Sequence, residues 1–271
     1  MKRHGLAFDL TGAGPPLLMI NGIGAARDSW SRQIGDLSAR FRCLTFDNRG
    51  VGESLVPAGP YTTAQMADDA ARVLAAAGIS RARVLGVSMG GAIAQELAIN
   101  HPELVERLAI VCSWAACDRY LERCFVIMKE MALSEGRKGP GWSLAVQRFL
   151  SLIGFTPTDF AKAAAEIDDL EAGAADAVKA GKEQPYAGFV AQADACLTHD
   201  TRDRLAAIRV PTLILAGDDD AFTPLPLSQA LAAAIPGARL QVMADCGHVM
   251  FYERPKDFNS RVIDFLSAEG A

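Results

Sequence analysis

Short apolar runs alternate with segments of helical period along the first two-fifths of the chain. Leu17-Leu18-Met19-Ile20 is an unbroken apolar run closed by Asn21-Gly22, the pattern of a strand buried on both faces. A helical stretch follows over 29–37, and 42–47 reads as a second strand ending in the turn-rich Asn48-Arg49-Gly50-Val51-Gly52. Thr62 with Gln65 three residues later forms a capping-box pattern ahead of an Ala-rich helix over 63–77, with Gly78 as its stop. A third strand over 83–87, a helix over 89–100 closed by His101-Pro102, and a fourth strand over 105–112 continue the alternation.

The pattern then changes. Residues 115–205 are mostly helix-forming and carry no clear strand signal. Alternation resumes with a strand over 211–216, a helix over 224–234, a strand over 239–243 and a helix over 255–268. Strands alternating with helices call for a mostly parallel sheet with helices on both faces, an α/β fold. The all-helical stretch within it reads as an inserted cap. The expected organisation is a core domain of 1–114 and 206–271 and a cap of 115–205.

Composition narrows the function classes. Of 271 residues, 27 are Lys or Arg and 32 are Asp or Glu, a net charge of −5, which argues against a surface built to neutralise phosphates. No apolar run approaches the roughly 20 residues that span a bilayer, and no signal-peptide stretch follows Met1, so a cytoplasmic protein is expected. The six cysteines form no Cys-x-x-Cys pair, which favours buried reduced thiols over a disulfide or zinc framework. No dinucleotide fingerprint, P-loop or metal cluster is present, so neither a cofactor nor a metal is expected.

The sharpest chemical signal is Gly86-Val87-Ser88-Met89-Gly90, placed where a strand ends and a helix begins. A turn that tight leaves no room for side chains two residues either side of its apex, and it lifts Ser88 to the positive end of the helix dipole. A serine needs a base within hydrogen-bond reach. His4 is near the N-terminus, His101 stands at a helix end, and His199 is expected on the surface of the helical stretch. His248, in Asp245-Cys246-Gly247-His248 directly after the last strand, can arch over the sheet's carboxyl edge. Its orienting carboxylate must come from Asp218, Asp219 or Asp220, all in the loop after the preceding strand.

With these motifs in this order, the chain resembles the α/β-hydrolase superfamily over nearly its whole length. The resemblance rests on the Ser88 elbow, the turn Asn21-Gly22-Ile23-Gly24, the loop Asp47-Asn48-Arg49-Gly50-Val51-Gly52-Glu53-Ser54, the segment from Gly217 through Asp220 to Pro224, and the segment from Gly247-His248 to Glu253 and Pro255. It implies an α/β-hydrolase fold and a triad of Ser88, Asp220 and His248, with Asp218 the main rival for the acid. It also implies an oxyanion hole formed by the backbone N–H groups of Ile23 and Met89. The family usually has His-Gly where this chain has Asn21-Gly22; an asparagine there can bond neighbouring backbone and preserve the turn.

The turn, the Asp47 loop and the cap length are most similar to the 3-oxoadipate enol-lactonase-like and carboxylesterase group. The implied activity is hydrolysis of small carboxylic esters or lactones. The same triad also serves carbon–carbon bond hydrolases and cofactor-free perhydrolases, and a ligand sensor can be built on this scaffold. Trp114 is expected to face the pocket or to anchor the cap on the core. Arg119, Arg123 and Arg148 are candidate partners for an acidic substrate, with solvation the plainer expectation for each. The expected partner is a small ester or lactone, with neither nucleic acid nor membrane; a homodimer stays open.

Overall fold

The computed structural model describes residues 1–156, 160–161 and 163–268. Its strands are β1 (Lys2–Arg3), β2 (Leu6–Thr11), β3 (Pro16–Ile20), β4 (Arg42–Phe46), β5 (Ala82–Val87), β6 (Val105–Val111), β7 (Thr212–Gly217) and β8 (Arg239–Met243). They form one eight-stranded sheet in the order β1-β2-β4-β3-β5-β6-β7-β8. β1 and β2 are antiparallel to their neighbours and the other six strands are parallel.

Helices α1 (Ser31–Ser38), α2 (Thr63–Ala76) and α3 (Met89–Asn100) follow the early strands. α4 (Arg119–Gly136), α5 (Trp142–Gly154), α6 (Ala164–Lys179) and α7 (Tyr186–Thr198) lie between β6 and β7. α8 (Leu225–Ala234), α9 (Met250–Glu253) and α10 (Pro255–Ser267) complete the chain. The side-chain period of two splits each strand between two cores. Leu18, Ile20, Val84, Leu108, Ile110 and Ile214 pack with Val73, Ile93 and Leu231 of α2, α3 and α8. Leu17, Met19, Leu85, Ala109, Leu213 and Leu215 pack on the other face with Leu37, Phe258 and Val262 of α1 and α10. The α/β-hydrolase fold class read from the sequence is the observed one.

Local signals hold closely. The box at Thr62 is complete, its side chain accepting from the Gln65 backbone while Gln65 reaches back. The antiparallel pair β1 and β2 is an addition that the apolar-run pattern does not reveal. Between β6 and β7 the described residues contribute one isolated bridge, Ala116 to Asp200, and otherwise helices and connections. All six cysteines are unpaired, five of them buried. Among the described residues no helix is long and apolar enough to cross a membrane.

Candidate active site

The strand order sets β5, β6, β7 and β8 side by side, so the loops leaving their carboxyl ends converge. Ser88 follows β5 with φ 57° and ψ −121°, a left-handed conformation that costs a non-glycine residue about 1–3 kcal/mol. The surroundings hold it there. Its N–H donates to Val111 O at 2.9 Å, and its carbonyl accepts from Gly91 N at 2.8 Å and from the Ser113 hydroxyl at 3.0 Å. A Cβ on Gly90 would collide with the Ile20 and Asn21 carbonyls, and one on Gly86 with the Gly90 backbone, so the elbow requires glycine on both sides. Ser88 retains 4% of its surface and sits at the first turn of α3, whose free N–H groups carry partial positive charge.

The turn 21–24 lies directly against the serine. A Cβ on Gly22 would stand 3.3 Å from Ser88 Cβ. The Asn21 amide donates to Ala26 O at 2.8 Å and Asn48 donates to Asn21 O at 3.1 Å, so the asparagine at this unusual position ties the turn's own backbone. Ile23 and Met89 are both buried there.

His248 Nδ1 lies 3.0 Å from Asp220 Oδ2. Burial of the Asp220 carboxyl would raise its pKa, but the charge of His248 and hydrogen bonds from His248 and Thr223 prevail and hold it below the ordinary carboxylate value. Oδ1 accepts from the N–H groups of Phe222 at 2.9 Å and Thr223 at 2.7 Å, and Oδ2 accepts from the Thr223 hydroxyl at 2.6 Å. An anionic Asp220 keeps a proton on Nδ1 and leaves Nε2 as the basic nitrogen. Of the three aspartates, Asp220 alone is buried against the imidazole; Asp218 and Asp219 are exposed and bond the β8 loop through their backbone. Phe222 meets the His248 ring edge-on at 4.8 Å.

Cys112 is the third member of a group with Asp220 and His248 whose ligand atoms lie within 4.8 Å of one another. Complete burial, reinforced by the Asp220 charge, lifts its thiol pKa well above the ordinary value, and the other two residues already spend their facing atoms on each other. The group therefore suits a proton-sharing pair better than a metal.

Three of the inserted helices, or the chain just ahead of them, touch loops that border the site. Phe125 of α4 packs edge-on against Phe222 at 5.5 Å. The Gly154 carbonyl of α5 accepts from Val249 N at 3.2 Å. On α7, the wholly buried Gln192 accepts from Gly24 N at 2.9 Å and donates to Arg49 O at 2.7 Å, and just ahead of that helix Gln184 donates to Gly50 O at 2.7 Å. Gly188 and Gly50 meet backbone to backbone with no room for a Cβ on Gly188. Gln192 was not singled out from the sequence; its one signal is a lone amide within the apolar run of α7.

Trp114 is wholly buried, 5.3 Å from Phe125 and 6.3 Å from His199, the geometry of an anchor between the helical stretch and the sheet. His199 corrects the surface expectation. It is 3% exposed, with Nδ1 2.9 Å from the Thr63 hydroxyl, because the chain leaving α7 folds back onto the start of α2. Burial, aided by the Arg204 charge, lowers its pKa to about 4. Arg119 and Arg148 are exposed and pair with Glu122 and Glu171.

Known proteins share this fold. A family model described as "Alpha/beta hydrolase family" matches residues 17–261. The chain is 36% identical over 266 residues to a protein of Azorhizobium caulinodans provisionally named carbamate hydrolase RutD, covering 96% of this chain and 94% of that one. Among solved structures, a thermophilic esterase from Thermogutta terrifontis superposes with TM-score 0.84 at 28% identity, over 97% of this chain and 93% of that one. The enol-lactonase of Burkholderia xenovorans does so with TM-score 0.84 at 27% identity, over 97% and 96%.

Proposed function

Because the chain belongs to the alpha/beta hydrolase family and is a hydrolase, we propose that it cleaves small carboxylic esters or lactones through an acyl-enzyme on Ser88. His248 is the general base and Asp220 its orienting acid. The observation that carries this reading is the 3.0 Å pairing of His248 with the buried Asp220, on the same sheet edge as the left-handed Ser88.

In this mechanism Ser88 Oγ attacks the carbonyl carbon as His248 Nε2 takes its proton. The oxyanion is received by the N–H groups of Met89 and Ile23; losing one such donor typically costs about 100–1,000-fold in turnover. The imidazolium returns the proton to the leaving alcohol. Water, deprotonated by the same nitrogen, then releases the acid and restores Ser88.

Residues 115–205 serve as the cap of a core made of 1–114 and 206–271. With Ser88 and His248 only 4% and 6% exposed, a substrate enters by parting the contacts at Phe222, Val249 and Gly24. Ile23 and Met89 flank the bound carbonyl, and Trp114 supports Phe125 from behind. A second reading, a carbamate substrate, is favoured by the identity with the RutD-named protein, since a carbamate offers Ser88 the same kind of carbonyl carbon.

A panel of p-nitrophenyl acetate and butyrate, a five-membered lactone and a carbamate, run on wild type and Ser88→Ala, separates these readings. Ester or lactone turnover is expected to exceed carbamate turnover, and Ser88→Ala to lose about 10,000-fold or more. A preference for the carbamate selects the second reading. Undiminished hydrolysis by Ser88→Ala removes the nucleophile assignment.

A further inference from the structure

At the opposite end of the strands from Ser88, the sheet register gathers arginines. Arg83 pairs in register with Arg107 on β5 and β6. Leu213 of β7 pairs with Arg239 of β8, and the two-residue period sets Arg107, Leu213 and Arg239 on the face covered by α10. Arg107, Arg209 and Arg239 line one solvent-open cavity of about 240 Å³, with Pro211, Pro236 and Phe265 also on its walls.

Arg107 is the unusual member. It is 7% exposed, its guanidinium lies 4.7 Å over the Phe265 ring, and its buried Nε meets no hydrogen-bond partner. Burial, together with the charges of Arg83 and Arg239, lowers its pKa from the ordinary value. Glu106, the acid whose charge reaches it, is taken by Arg83 at 3.0 Å. A protein of net charge −5 has thus concentrated three cations around one cavity, and no acid among the described residues forms an ion pair with Arg107. Unpaired buried charge is costly, and guanidinium groups match the oxygens of oxyanions in a bidentate fork.

We propose that this cavity binds a small, multiply charged oxyanion, presented by a phosphate group or by clustered carboxylates. Its volume lies below the roughly 300–1,000 Å³ of drug-sized pockets, which suits a compact anion. It lies at the amino ends of β6, β7 and β8, so occupancy leaves the serine edge free and acts on the stability of the native state.

The test titrates inorganic phosphate, and separately citrate, into the full-length protein at ionic strength held constant with sodium chloride, read by calorimetry and thermal unfolding. Wild type is expected to bind at least one of the two with a rise in Tm; which one binds tells phosphate from polycarboxylate. Arg209→Gln and Arg239→Gln alter exposed side chains, so their unliganded Tm stays near wild type, and each should weaken binding about tenfold, the value of a lost charge-assisted hydrogen bond. Binding of neither anion by wild type overturns the proposal. So does an equal affinity and Tm rise in the Arg209→Gln/Arg239→Gln double variant, which would mark a general salt effect.

Discussion

At the carboxyl edge of the sheet, two of the candidate groups are shaped by backbone geometry: a left-handed Ser88 between two obligatory glycines, and an Asp220 carboxylate that accepts two N–H groups of its own loop. The helices of 119–198 hold themselves differently. They join the core through aromatic contacts around Phe125, through side-chain hydrogen bonds such as those of Gln192, and through backbone meetings at Gly154 and Gly188. The first region stores geometry in turns that cannot relax without breaking the sheet. The second rests on contacts between side chains and backbone far apart in the chain. The proposed mechanism uses that division, because it needs preorganised reacting atoms beneath helices that part for a substrate.

The largest test of the contrast is at the acid. Asp220→Asn should lower kcat about 1,000–10,000-fold with the fold intact, whereas Asp218→Asn should stay within about threefold; ester kinetics on both decide it. Equal losses would mean that the loop geometry does not select its acid.

The next lies at the join between the regions. His199 is neutral when folded, with a pKa of about 4 against an ordinary 6.5, so protons bind the unfolded chain more readily. Its stability contribution is complete above about pH 6.5 and is lost as pH falls towards 4, a drop of about 3 kcal/mol. Urea midpoints at pH 7.5 and 4.5 should show it, and His199→Gln should flatten the slope.

Gln192→Leu orphans Gly24 N and Arg49 O and frees the turn beside Ser88. A loss of about 1–3 kcal/mol in stability, with kcat falling more than KM changes, would tie the cover to the oxyanion turn. If only stability falls, the contact is a plain strut. Last, Arg119→Ala and Arg148→Ala should change ester kinetics less than about twofold, since both side chains face solvent.

Much of this was legible in the chain. The Thr62 box, the Gly86–Gly90 elbow and the apolar runs of β3, β5 and β7 are written in adjacent residues because their physics is local. β2 escaped because Leu6–Thr11 is buried at Leu6, Ala7 and Phe8 but exposed at Asp9 and Thr11, and forms only by pairing with a strand more than thirty residues on. His199 was misplaced because helix-forming composition says nothing about which end of a helix turns inward. Gln192 lies 168 residues from its partner Gly24, a separation no spacing rule reaches.

The sequence by itself determined the fold class, the identity of the elbow serine and the histidine after the last strand, since steric demands and chain order leave few alternatives. Tertiary structure decided the rest: which aspartate faces His248, how the inserted helices latch to the turn at 21–24, and that three arginines from β6, the β7 approach and β8 share one cavity. Those are meetings between distant segments. Sheet register and burial create them, and no stretch of the chain encodes them alone.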